Sequence, residues 1–165
     1  MAIYYSCPAE PGKQREGNLG DNPPVINDPL KDLPGYALRR VSAAIMAQLA
    51  ARLSRLDLRP TEATVLLVIG ANPGVIQSEV GRLLGIASAN MAPLVARLSD
   101  RELIVREAVD GRSEGLTLSD AGRRLTQKAR SIIDDLESDL LARIPAAERA
   151  IFLKVLAGLA RNQDD

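Results

Sequence analysis

The chain contains no histidine, no tryptophan and one cysteine, Cys7. Without imidazole, Ser–His and Cys–His nucleophile pairs are excluded, along with the commonest acid–base chemistry and most zinc sites. A single cysteine excludes an intrachain disulfide. No metal, cofactor or catalytic residue is expected. The remaining route to catalysis would be a carboxylate pair in a cleft. Asp134 and Asp135 are adjacent in a helical stretch and point apart, however, and Asp139 falls on a solvent face. No run of eighteen apolar residues exists to cross a membrane. Neither a basic start followed by an apolar stretch nor an apolar run ahead of Cys7 suggests a signal peptide or lipid anchor. The expected location is the cytoplasm. Aromatic residues are also scarce, at 2%, so the core must be built from Leu, Ile, Val and Ala, which favours helix.

An excess of either charge is missing too. Lys plus Arg and Asp plus Glu both number 21, so a nucleic-acid footprint cannot be read from net charge. The distribution is uneven. Residues 34–59 carry five arginines (Arg39, Arg40, Arg52, Arg55, Arg59) against Asp57, whereas residues 76–117 carry five arginines against six acids. Any case for nucleic acid must rest on motif and geometry.

With 46% apolar and 25% charged residues over 165 positions, a well-cored globular fold is expected. Residues 1–33 are rich in Pro, Gly, Asn and Asp, lack an apolar period, and read as an irregular tail. From Pro34, Leu38, Val41, Ile45, Leu49, Leu53 and Leu56 recur at spacings of three and four, one face of a helix about twenty residues long. A second helix covers about 61–71, with Val65, Leu66, Val68 and Ile69 inward, and ends at Asn72-Pro73-Gly74. A third, about 77–84, uses Val80, Leu83 and Leu84 and stops at Gly85 as a left-handed cap. A fourth, about 88–101, turns Met91, Leu94, Val95 and Leu98 inward. The period then switches to two: 103–107 and 115–118 read as short strands around Asp110-Gly111, a strong hairpin signal. Two closing helices follow. One runs over about 119–144, capped by Ser119, with Leu125, Ile132, Leu136, Leu140 and Leu141 as its stripe. The other runs over about 146–161, with Ile151, Val155, Leu156 and Leu159.

Helices three and four, joined by a Gly-containing turn, form a helix-turn-helix whose second helix would enter a major groove. Its outward face is Ala89, Ala92, Pro93, Ala96, Arg97 and Asp100. Small residues permit close approach to DNA, and Ser88 and Asn90 can bond phosphate or an adenine edge. Gln77, opening helix three, joins these DNA-contact candidates. The same Ala-rich face could equally pack on other helices. The hairpin adds weight: Asp110-Gly111-Arg112 places an arginine at a ribbon tip, able to enter a narrow minor groove, with Asp110 near enough to hold Arg112.

The stretch Asp110-Gly111-Arg112-Ser113-Glu114-Gly115-Leu116-Thr117-Leu118-Ser119-Asp120-Ala121-Gly122 resembles the wing motif of the MarR (multiple antibiotic resistance repressor) family. So do Leu84-Gly85-Ile86, Leu103-Ile104-Val105-Arg106 and Leu58-Arg59-Pro60-Thr61-Glu62, and the resemblance spans about 34–161. It implies a mainly α fold with a small β-hairpin wing, divided into an irregular tail (1–33), a dimerisation helix (34–58), a winged helix-turn-helix lobe (59–118) and C-terminal dimerisation helices (119–165). It further implies a homodimeric transcriptional regulator, a repressor, that binds a near-palindromic double-stranded DNA operator in association with the nucleoid, contacts no membrane, and is released by a small molecule. Three departures stand out. Glu102 occupies a position usually held by glycine, so a differently built turn is expected. Pro93 replaces a polar or basic base-reading residue and suits a helix only if it begins as late as Asn90. The tail is long for the family.

The effector suggested by Tyr36, Arg39 and Arg40, a ring with guanidinium donors opening the first helix, is an aromatic carboxylate or its thioester. Arginine pairs there are also commonly just solvated. Two alternatives remain open: redox sensing through Cys7, whose neighbours Tyr4 and Tyr5 are suggestive although no basic residue lowers its pKa, and a winged-helix module that binds protein rather than DNA.

Overall fold

A computed structural model describes residues 27–110 and 113–161. Cys7, Gly111, Arg112 and most of the expected tail therefore lie outside the described residues.

Local punctuation sets the helices. Helix α1 spans Pro34–Leu53, with proline in its first turn, where a missing N–H costs nothing. A 3-10 turn, Ser54–Leu56, leads to Asp57, which adopts the left-handed conformation (φ 52°) and lets the Leu58 N–H bond the Leu53 carbonyl. Helix α2 (Pro60–Ala71) again begins on proline. Strand β1 is only Val75–Ile76, and α3 (Gln77–Leu84) follows at once. Gly85 (φ 63°) ends α3, and the Ile86 N–H reaches back to the Gly81 carbonyl at 2.8 Å. Helix α4 is Ser88–Asp100, β2 Ile104–Asp110, β3 Ser113–Leu118, α5 Asp120–Ala142 and α6 Arg149–Arg161. The fold is mainly helical with a small antiparallel sheet in the order β1-β3-β2. Ile104 pairs with Leu118 and Arg106 with Leu116, while Val75 meets Leu116 from the other side; the β2–β3 register shifts between Ala108 and Asp110.

One hydrophobic core joins the end of α1, α2, α3, α4, the sheet and α5 as far as Ala129. Leu53, Val65, Leu66, Ile69, Val80, Met91, Val95 and Leu98 are essentially inaccessible. The structure departs from the sequence reading, or adds to it, at four points. Strand β1 is absent from the periodicity reading, because two residues become a strand only by pairing with β3. Leu83 is 68% exposed, since Val80 and the half-buried Leu84 already make α3's inward face. Leu38 and Val41 of α1 and Ile151, Val155 and Leu159 of α6 are at least half exposed, because no other element among the described residues covers them. Finally, α4 starts at Ser88, as its spacing predicts, so Pro93 is internal and leaves the Ala89 carbonyl without its helical donor.

The turn after α4 is built as a glycine would build it. Glu102 sits at φ 54°, the Leu103 N–H bonds the Leu98 carbonyl at 3.0 Å, and the Glu102 carbonyl accepts the Ser119 hydroxyl at 2.6 Å. A side chain in this conformation is strained. Glu102→Gly is therefore expected to stabilise the protein by about 0.5–1 kcal/mol, measured as a raised midpoint in chemical denaturation.

Candidate nucleic-acid interface

Helices α3 and α4 approach each other closely at Gly81. A Cβ on Gly81 would lie 3.1 Å from both the Ile86 carbonyl oxygen and Met91 Cγ. With Met91, Leu94, Val95 and Leu98 buried beneath it, α4 presents Ser88, Ala89, Asn90, Ala92, Pro93 and Ala96 to solvent. No side chain caps its N-terminus at Ala87, so the first amide protons stay available to an anion. Gln77, half-buried at the start of α3, lines a hollow of about 380 Å³ with Ser88, Met91 and Glu114. The structure thus brings Gln77 and Ser88 around one hollow, and Asn90 and Pro93 onto the open face of the same helix.

Beside this face, strands β2 and β3 form a ribbon braced by Arg106 Nη1 to Glu114 Oε2 at 3.2 Å. Asp110 pairs with Ser113 at the last described rung, and the Asp110–Arg112 contact lies outside the described side chains. The ribbon's root is anchored to α5. Ser119 Oγ accepts the Gly122 N–H (2.9 Å) as an N-cap while donating to the Glu102 carbonyl, and the Ser119 N–H bonds the Leu103 carbonyl. A hydrogen bond from Arg123 and its charge hold the exposed Asp120 carboxyl below its ordinary pKa.

Arg97 has a partner that no local pattern foretells. Glu62 on α2 is only 4% exposed; its Oε2 accepts the Arg59 N–H at 2.9 Å and its Oε1 accepts Arg97 Nε at 3.3 Å. Arg101 Nη1 lies 3.9 Å from Glu62 Oε2, and its Nη2 lies 3.5 Å from Asp57. The group lines an open cleft of about 500 Å³. The one available signal was Glu62 three residues after Arg59, the N-cap of α2, which suggests a cap but not a bond to a residue 35 positions away.

At the other end of the chain, Arg39 and Arg40 place their guanidinium carbons 5.1 and 5.8 Å from the Tyr36 ring centre. Tyr36 and Arg40 also line a shallow hollow of about 360 Å³ with Lys31, Ala37, Val41 and Ala44. The three effector candidates are therefore together. Among the described residues there is no group of three or more Cys, Asp or Glu placed to hold a metal, and no helix long and apolar enough to cross a membrane.

A helix-turn-helix followed directly by a β-ribbon, over a shared core, defines a winged helix-turn-helix protein. The sequence model of the MarR family matches residues 56–113. Rv2887 of Mycobacterium tuberculosis, an HTH-type transcriptional repressor, is 30% identical over 130 residues, covering 78% of this chain and 94% of the relative. Its structure with salicylic acid superposes with a TM-score of 0.62 at 28% identity, covering 84% of this chain and 98% of that one. The transcriptional repressor CouR bound to a 23-mer DNA duplex aligns with a TM-score of 0.72 at 32% identity, covering 79% of this chain and 94% of that one. CouR bound to p-coumaroyl-CoA aligns with a TM-score of 0.71 at 31% identity, covering 80% and 94%. The chain belongs to the MarR family. It is a transcriptional regulator, not an enzyme.

Proposed function

We propose that the chain is a repressor that binds a near-palindromic DNA operator as a homodimer and is released by a small aromatic carboxylate or its thioester. The observation that carries this reading is the open α4 face of Ser88, Asn90 and Pro93, set beside Gln77 and the β2–β3 ribbon. Pro93 and the alanines read groove shape and thymine methyls, Ser88 and Asn90 supply polar contacts, and Arg112 enters the minor groove. Residues 59–118 act as the DNA-binding lobe. Residues 34–58 and 119–165 pair with a second copy through the exposed apolar residues of α1 and α6. CouR, solved with DNA and with p-coumaroyl-CoA, and Rv2887, solved with salicylic acid, support both the partner and the effector class. Tyr36, Arg39 and Arg40 offer an aromatic carboxylate a ring to stack on and two cations.

The test is a titration of the full chain onto a library of duplexes at several salt concentrations. A selected operator should emerge, and Arg112→Ala should weaken its complex by about 1–3 kcal/mol. Salicylate or an aromatic acyl thioester should then release it. No complex with any duplex, even at low salt, would favour the protein-binding alternative.

A further inference from the structure

Glu62 is the one buried carboxylate among the described residues; its Oε1 accepts Arg97 Nε of the recognition helix, and its Oε2 accepts the Arg59 N–H with Arg101 3.9 Å away. A buried carboxylate persists only when paired and hydrogen-bonded. Here the pairing draws on Arg97 of α4 and on Arg101, the residue that caps its C-terminus, four positions further on. Arg97 stands nine residues beyond Ser88, about 14 Å along the helix axis. The N-terminal part of a recognition helix enters the groove, so this C-terminal part runs near the flanking phosphates. A free guanidinium there would bind any sequence, adding about 0.9 to the steepness of affinity against salt for each phosphate it neutralised. Arg97 and Arg101 are the only basic residues on α4 and its capping residue, and acids on α2 and on the preceding turn engage both.

We infer that Glu62 is a specificity-determining positioning residue: it withholds Arg97 and Arg101 from the DNA backbone. The interface then draws on the few groups that read sequence and shape instead of on general phosphate attraction. Arg97, expected from the sequence as a DNA contact, is thereby assigned to the protein's own interior carboxylate. This rests on the DNA-binding reading above and adds to it a claim about which cations do not take part.

The experiment measures binding of the full chain to a random-sequence duplex across salt concentration. In Glu62→Gln, which keeps an acceptor for the Arg59 N–H but loses the charge, the slope of log affinity against log salt should steepen by about one to two. Between roughly 50 and 200 mM salt, affinity should then fall about 3.5-fold further for each freed arginine. Adding Arg97→Gln and Arg101→Gln to that variant should restore the wild-type slope. In the wild-type background, Arg97→Gln should leave the slope unchanged, and this arm keeps the Glu62 carboxylate itself in place. A slope lowered by about one in Arg97→Gln alone, or an unchanged slope in folded Glu62→Gln, would overturn the inference while leaving DNA binding intact. Failure of the wild type to bind any duplex at low salt would overturn both readings.

Discussion

Gly122→Ala is expected to destabilise the protein by about 3 kcal/mol, enough to lower the melting temperature by roughly 6–12 °C. The first turn of α5 is pressed against the backbone of Leu103, so an added Cβ would overlap the carbonyl oxygen and lie 2.9 Å from the carbonyl carbon. Neither side can yield. Leu103 is held by its N–H to Leu98 and its carbonyl by the Ser119 N–H, while Gly122 donates to the Ser119 hydroxyl. Relief would require breaking the cap, the turn or both. Differential scanning calorimetry and chemical denaturation measure the effect. A change below about 0.5 kcal/mol, the range of an ordinary surface substitution, would show that the ribbon root and α5 are not packed as described.

The second large effect falls on assembly. Ile151→Asp together with Val155→Asp should convert the proposed dimer to a monomer and lower operator affinity by about 10²–10⁴, the loss expected when two linked half-site contacts become one. Both side chains are more than half exposed in the single chain, so charge there leaves the lobe core untouched. Light scattering should report half the native mass, and circular dichroism an unchanged fold around α2–α4. A double variant that remains dimeric would remove α6 from the interface and place the burden on Leu38 and Val41 of α1 alone.

The elements legible in the sequence are those set by local chemistry. Pro34 opens α1, Gly85 closes α3 and Ser119 caps α5, each acting within a turn of its own position. The inward set of α4 follows from its spacing, as Met91, Leu94, Val95 and Leu98 demonstrate. What escaped depends on partners distant in sequence. Val75–Ile76 is a strand only because Gly115 and Leu116 lie alongside it. The stripe on α1 reads as apolar at Leu38 just as at Leu53, yet Leu49 and Leu53 find the core and Leu38 does not; periodicity reveals a face but not what covers it. The left-handed turn at Glu102 survives without glycine because two backbone bonds and the Ser119 hydroxyl overdetermine it. Of the candidate site, the α4 face and the ribbon were visible from residue type and order. The Glu62–Arg97 pair was not, since nothing local marks two charges 35 residues apart as neighbours.

The hydroxyl of Ser119 has a mechanical consequence. It fastens the end of the recognition helix and the root of the ribbon to the first turn of a 23-residue helix, about 35 Å long. Helix α5 is therefore a lever with its fulcrum beside the DNA-reading surface. A rotation of about 5° at that fulcrum swings the far end by about 3 Å, and the relation runs equally in reverse. Two recognition helices must stand about 34 Å apart to meet successive major grooves. A small wedge near the far end of such a lever needs to supply only a modest angle to take them out of register.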